Sequence, residues 1–143
     1  MTTSTDQITN QSTSIRDTVT EYVHAVADGR LDRVEELLHP DLVFGGTVPE
    51  PRGKASYIST LRSLTTVVER SDIRDVVVDG DRAFVLYDFV TDTPAGGVLS
   101  GELVTFEDGL IRTITLLFDQ RRWPEVIAEI QRRAAQPPTT TDT

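Results

Sequence analysis

The sequence predicts an α+β domain in which helices cover one face of a curved antiparallel sheet. Three observations carry that prediction. Apolar residues recur every three or four positions as far as Leu64, then alternate with polar ones through Phe118, and a final helical period follows Trp123.

The first helix is marked by Ile15, Val19, Tyr22, Val23 and Val26. Thr13 or Ser14 is the expected N-cap, with Asp17 completing a relaxed capping box, and Gly29 is the expected stop. Leu31, Val34, Leu37 and Leu38 mark a second, short helix that His39-Pro40 ends. A short strand reaches Phe44-Gly45-Gly46-Thr47. After Pro51-Arg52-Gly53, the spacing of Ala55, Ile58, Leu61 and Leu64 predicts a third helix. β-branched alternation then predicts strands over 67–78, 82–92, 98–106 and 110–118. Asp79-Gly80-Asp81, Pro94-Ala95-Gly96-Gly97 and Asp108-Gly109 punctuate them as hairpin turns. Trp123-Pro124 opens a last helix with Val126, Ile127 and Ile130 inside and Glu125, Glu129, Arg132 and Arg133 outside. The expected domain covers residues 14–135. The Ser/Thr-rich residues 1–13 and the Pro/Thr-rich residues 136–143 carry too little apolar surface to offset their ordering entropy, and are expected to be loose tails.

Composition narrows the function. The chain has 143 residues and a formal net charge of −9, which disfavours nucleic-acid and anionic-membrane partners. It has no cysteine, so thiol catalysis, disulfides and Cys-ligated metals are excluded. No apolar run matches a membrane span and no signal peptide is evident, so a cytoplasmic protein is expected. His24 and His39 are isolated, and the acidic residues lack calcium-loop spacing, so no metal and no cofactor are expected. Gly45-Gly46 and Gly96-Gly97 lack the remainder of a phosphate-binding loop, and no nucleophile-elbow motif is present.

The candidate chemistry lies in carboxylates on the meander. If the 82–92/98–106 hairpin pivots at Ala95, residues pair when their numbers sum to about 190, which sets Asp88 opposite Glu102. Leu86, Asp88 and Val90 then share an apolar face with Glu102, Val104 and Phe106. Two carboxylates facing each other on such a face repel, so one holds its proton and the pair supplies a general acid and a general base. A one-residue slip, or an arginine partner for each, removes that role.

The strings Tyr22-Val23-His24-Ala25-Val26-Ala27-Asp28-Gly29-Arg30-Leu31-Asp32 and Leu37-Leu38-His39-Pro40-Asp41, with Phe106-Glu107-Asp108-Gly109-Leu110-Ile111 and Phe118-Asp119, resemble SnoaL-like and ketosteroid-isomerase-like domains of the nuclear transport factor two superfamily. The resemblance implies a cone-shaped curved sheet wrapped around N-terminal helices with a C-terminal helix, and a fold that hosts isomerases, cyclases, epoxide hydrolases and non-catalytic proteins. It places Tyr22 on the isomerases' oxyanion-stabilising tyrosine, Glu102 on their protonated acidic donor, and Asp119 on the acid/base aspartate of the cyclases. The chain departs from the isomerases at Phe44-Gly45-Gly46-Thr47, where their base would stand.

Tyr22 is more often a core or pocket-rim tyrosine than a catalytic donor, and Asp119 is also readable as a cap that points away from the apolar face of Ile114, Leu116 and Phe118. An epoxide-hydrolase set would need Asp88 and Asp119 bridged by an arginine, for which Arg112 is the nearest. The expected cavity is lined by Leu86, Val90, Val104, Ile114, Leu116 and Phe118, and takes a small apolar ligand at the polar groups Tyr22, Asp88 and Glu102. Its chemistry is acid/base isomerisation or cyclisation. The alternatives are a non-catalytic ligand-binding or dimerisation module and, last, an epoxide hydrolase. A homodimer is expected through the open sheet face, with Val85, Tyr87 and Leu117 outward.

Overall fold

The computed structural model describes residues 5–136. Its elements run α1 (Thr5–Ala27), α2 (Leu31–Leu37), β1 (Leu38–Gly46), α3 (Lys54–Leu64), β2 (Val68–Asp79), β3 (Arg82–Thr91), β4 (Gly97–Glu107), β5 (Leu110–Phe118) and α4 (Trp123–Ala135). The five strands form one sheet in the order β1-β5-β4-β3-β2. The β2–β5 meander is antiparallel, and β1 joins its β5 edge in parallel. This is the α+β architecture expected, with the helices packed into the hollow of the sheet.

Helix α1 begins at Thr5, nine residues before Ser14, and Ser14 is no cap: its carbonyl accepts a bond from Thr18 Oγ1. No proline or glycine lies between Thr5 and Ser14, so a helix anchored by its apolar stripe propagates backwards through residues of middling propensity. The expected tail over 1–13 is thus helical from Thr5; residues 1–4 and the expected tail from 137 onward lie outside the described residues. At the other end Gly29, at φ 72°, closes a Schellman motif through Arg30 N–H to Ala25 C=O and Gly29 N–H to Val26 C=O. Ile15, Val19, Tyr22 and Val23 are buried against the sheet.

Pro40 sits in β1, which tolerates it because β1 is an edge strand and is bulged there: Leu38 pairs with Ile111 and Val43 already with Thr113. Gly46 is needed for a closer approach. At φ 108° its backbone lies so near β5 that an added Cβ would sit 2.1 Å from the Leu116 carbonyl oxygen. Thr47 continues the contact by donating to that same oxygen from its N–H and its hydroxyl.

The β4–β5 hairpin turns on Asp108 (φ 55°) and Gly109 (φ 77°), both left-handed, between paired Glu107 and Leu110. The β3–β4 hairpin departs from expectation. Asp88 pairs with Leu99, and Glu102 with Val85, so pair numbers sum to 187 rather than 190. The pivot falls between Thr93 and Pro94, where Thr91 N–H bonds Gly96 C=O and the Thr91 and Thr93 hydroxyls bond each other. An odd shift turns every side chain of one strand to the other face. Val85, Tyr87 and Phe89 therefore face inward with Glu102 and Val104, while Leu86, Asp88 and Val90 leave the inner face. Helix α4 closes the open end of the hollow. Trp123 packs edge-on to Phe118 at 4.9 Å between ring centres, and Arg133 bonds both Asp92 and the Thr66 carbonyl.

No helix among the described residues is long and apolar enough to cross a membrane.

Candidate functional site

The inner face of the sheet, α1, α3 and α4 enclose a cavity of about 600 Å³, inside the range of small-molecule sites. Its walls are mainly apolar: Val23 and Val26 from α1, Phe44 and Val48 from β1 and its loop, Leu61 and Leu64 from α3, Phe89, Val98, Leu116 and Phe118 from the sheet, and Trp123, Ile127 and Ile130 from α4.

At one end stands a cluster of four ionisable side chains. Glu102, on β4, is 4% exposed and lies across the sheet from Val85 and Leu116. Its Oε1 accepts the Tyr22 hydroxyl at 2.8 Å, and its Oε2 accepts the Tyr87 hydroxyl at 2.5 Å. Tyr57 of α3 bonds the Tyr22 hydroxyl, and since Tyr22 gives its own proton to Glu102, Tyr57 is the donor. The Tyr57 ring stacks on Phe44 with centres 4.3 Å apart. All four polar side chains reach the cavity wall. One comes from each of α1, α3, β3 and β4, so the cluster exists only when helices and sheet are assembled.

Burial raises the pKa of Glu102, and the bonds from Tyr87 and Tyr22 oppose that rise without cancelling it. Burial likewise pushes Tyr22, Tyr57 and Tyr87 well above the ordinary tyrosine value, and the neighbouring Glu102 adds to it. Burial therefore shifts the cluster toward its uncharged form relative to the same groups in water. A count of protons says what that form can do. Three internal bonds use the three phenolic protons when Glu102 is a carboxylate, and none remains for a ligand. With Glu102 protonated, four protons serve the same three bonds and one is free to point at an acceptor in the cavity.

The structure brings together Tyr22 and Glu102 and separates them from the other expected residues. Asp88 lies off the inner face, held by Arg74 at 2.8 Å and 3.0 Å, so the facing pair of carboxylates does not form. Leu86 and Val90 leave the cavity with it, for the same reason of register. Val104 and Ile114 stay on the inner face but are sealed in the core rather than lining the hollow; Leu116 and Phe118 do line it. Asp119 sits past the end of β5, where Arg121 binds its carboxylate through side chain and backbone N–H and holds its pKa down to about 2. That is a turn-stabilising role, as the cap reading had it. Arg112 bonds Glu107 and the Asp41 carbonyl and does not bridge Asp88 and Asp119. Val85 and Tyr87, expected outward, are buried.

The sequence does not single out Tyr57, and it marks Tyr87 only as an outward residue of the sheet. Tyr87 follows from Glu102 once the register is known, since both lie on the same face; Tyr57 sits one residue before Ile58 on the buried stripe of α3, and only its hydroxyl partner distinguishes it. Outside the cavity, His39, Glu107 and Asp108 bring potential ligand atoms within 4.8 Å of one another. The Glu107 carboxylate is already engaged by Arg112 at 2.9 Å, and His39 Nδ1 accepts the Asp41 N–H.

A profile of the SnoaL-like domain family matches residues 19–114. No protein of curated function matches in sequence. Several solved structures share the fold. A steroid delta-isomerase from Pseudomonas aeruginosa has a TM-score of 0.66 at 21% identity, covering 85% of this chain and 92% of the other. An LEH-like epoxide hydrolase from M. tuberculosis has 0.65 at 19%, covering 85% and 92%. A nuclear transport factor two-like protein of unknown function from Cytophaga hutchinsonii has 0.65 at 20%, covering 78% and 95%. At such identities the likeness is one of fold, and the family match over residues 19–114 carries the assignment: the chain belongs to the SnoaL-like domain family.

Proposed function

We propose that the chain binds a small, mainly apolar molecule whose carbonyl oxygen accepts a hydrogen bond from the Glu102–tyrosine cluster, and that this bond assists proton shifts next to the carbonyl in which water takes and returns the α-proton, as in isomerisation or cyclisation. The observation that carries the reading is the four-group cluster at the inner end of an otherwise apolar cavity. An uncharged donor in a dry site stabilises negative charge developing on a carbonyl oxygen more strongly than water does. Glu102 is the acid, Tyr22 and Tyr87 hold its two oxygens, and Tyr57 fixes Tyr22.

Among the described residues the cavity wall carries no second carboxylate and no histidine. That favours a second reading, in which the ligand is held and not converted. Exchange of the methyl protons of 2-acetylnaphthalene with solvent deuterium, followed by NMR, separates the two. Accelerated exchange that Glu102→Gln abolishes supports catalysis; tight binding without acceleration supports the non-catalytic reading. If 2-acetylnaphthalene binds no better than 2-ethylnaphthalene, which lacks the oxygen, the carbonyl role of the cluster is wrong. Asp88 and Asp119 are each taken up by a separate arginine, Arg74 and Arg121, which speaks against epoxide hydrolysis.

We also propose that the outer face of the sheet meets a second copy of the chain. Val77, Phe84, Leu99, Leu103 and Leu117 are exposed there, and the register joins Val77 to Phe84 and Phe84 to Leu103 in one apolar row. An isologous two-fold contact sets the same apolar row of each molecule against the other, and a second copy covers it on both at once. Light scattering on a size-exclusion column is expected to give a dimer that Leu117→Glu splits; a wild-type monomer at tens of micromolar refutes the idea. The cytoplasm is the proposed setting, consistent with the cysteine-free composition.

A further inference from the structure

Most of the arginines of this acidic chain bind a carboxylate, including Arg33, Arg74, Arg121 and Arg133. Arg52 does not. It is half-buried, lines the cavity, and is the single cationic side chain on that wall among the described residues. Its one side-chain bond runs from Nη1 to Thr60 Oγ1 at 2.7 Å, and Thr60 passes its own proton to the Ser56 carbonyl at 3.1 Å. Thr60 thus fixes one edge of the guanidinium and leaves the remaining donors of the fork without a partner.

The backbone of Arg52 is equally fixed. Arg52 and Phe44 exchange both N–H···O=C bonds at 2.8 Å, and the Phe44 ring stacks on Tyr57 of the cluster. A rigid path of backbone pairing and ring stacking therefore connects the guanidinium to the inner polar end. The cavity has two polar poles: an uncharged acid cluster and an unpaired permanent cation, with apolar wall around them. A cation left without a carboxylate in a chain of net charge −9 is a site for an anion supplied from outside, and the planar fork of arginine matches a carboxylate in two parallel bonds.

We propose that Arg52 makes the cavity selective for apolar carboxylic acids, the carboxylate seated on its guanidinium. The inference rests on the reading that the cavity binds small molecules, and deepens it by naming the ligand class.

The test is calorimetric titration of the full chain with 2-naphthylacetate and with its neutral isostere 2-naphthylacetamide, at near-physiological salt and neutral pH. The wild type is expected to prefer the acid by about tenfold or more, as a charge-assisted bond implies. Arg52→Gln is expected to abolish that preference, the acid losing more affinity than the amide, and Arg52→Lys to restore part of it. Equal affinity of the wild type for acid and amide overturns the inference and leaves the cavity reading standing. Loss of both ligands in Arg52→Gln makes Arg52 a support for the wall and overturns it too. If neither compound binds, and 2-acetylnaphthalene does not bind either, the cavity reading falls with it.

Discussion

Replacing Glu102 with Gln keeps the shape of the side chain and removes its ability to ionise. In the folded protein burial raises the Glu102 pKa and two tyrosine bonds lower it, with burial the larger effect. In the unfolded chain the group titrates at its ordinary value of 4.5. Below that pH both states hold the proton, and its contribution to stability is complete. As pH rises, the unfolded chain releases the proton first, so stability falls by about 1.4 kcal/mol for each pH unit between the unfolded and folded values, then levels off. The Glu102→Gln variant has no such slope. Urea unfolding of both proteins at half-unit intervals from pH 4.5 to 8 is therefore expected to give a difference that grows in favour of Glu102→Gln. A difference independent of pH would mean that Glu102 ionises normally. A difference of opposite sign would mean that the two phenols outweigh burial, and the neutral cluster on which the carbonyl reading rests would be refuted.

Three further outcomes are expected. Gly46→Ala costs roughly 3 kcal/mol or more, because the new Cβ meets the β5 backbone at a positive φ; a loss below 1 kcal/mol in urea unfolding contradicts that geometry. Tyr22→Phe strips Oε1 of Glu102 of its donor and Tyr57 of its acceptor, and costs about 1–3 kcal/mol by the same assay, more at pH 8 than at pH 5; a neutral result means the phenol is not buried as described. Asp88→Asn changes stability by no more than about 1 kcal/mol and leaves ligand affinity untouched, since its partner Arg74 is on the surface; a loss of binding would return Asp88 to the cavity.

Periodicity and turn chemistry made most of the fold legible. Gly29 and Pro40 marked helix ends, and Asp108-Gly109 fixed its hairpin to the residue, since two left-handed positions in a row leave a two-residue turn little freedom. The β3–β4 turn was not legible in this way. Its register is set by threonine hydroxyls, Thr91 and Thr93 bonding each other, which pull the pivot off Ala95; the Gly96-Gly97 pair marks the turn but does not fix its pivot. One odd shift then exchanged Asp88 for Tyr87 on the cavity wall and undid the paired-carboxylate reading. Glu102 and Tyr22 do reach the cavity wall, and the resemblance to known domains pointed to them without reference to that turn. Arg52 was visible only as part of a Pro-Arg-Gly break. What distinguishes it is the lack of a carboxylate partner, which depends on the whole three-dimensional arrangement of charge.

The parallel pairing of β1 with β5 has a consequence for how the molecule assembles. β1 ends at Gly46, and its partner strand starts at Leu110. On the ribosome, β1 and the Gly46 contact with Leu116 must wait until the entire meander has been made, and that closure carries the entropy of a long loop. Until then Leu42 and Phe44, both buried in the finished protein, have no sheet to lie on. The slow step of folding is expected to be the docking of this early strand onto the last one, and the unpaired β5 edge is the surface most exposed to mispairing in the interval.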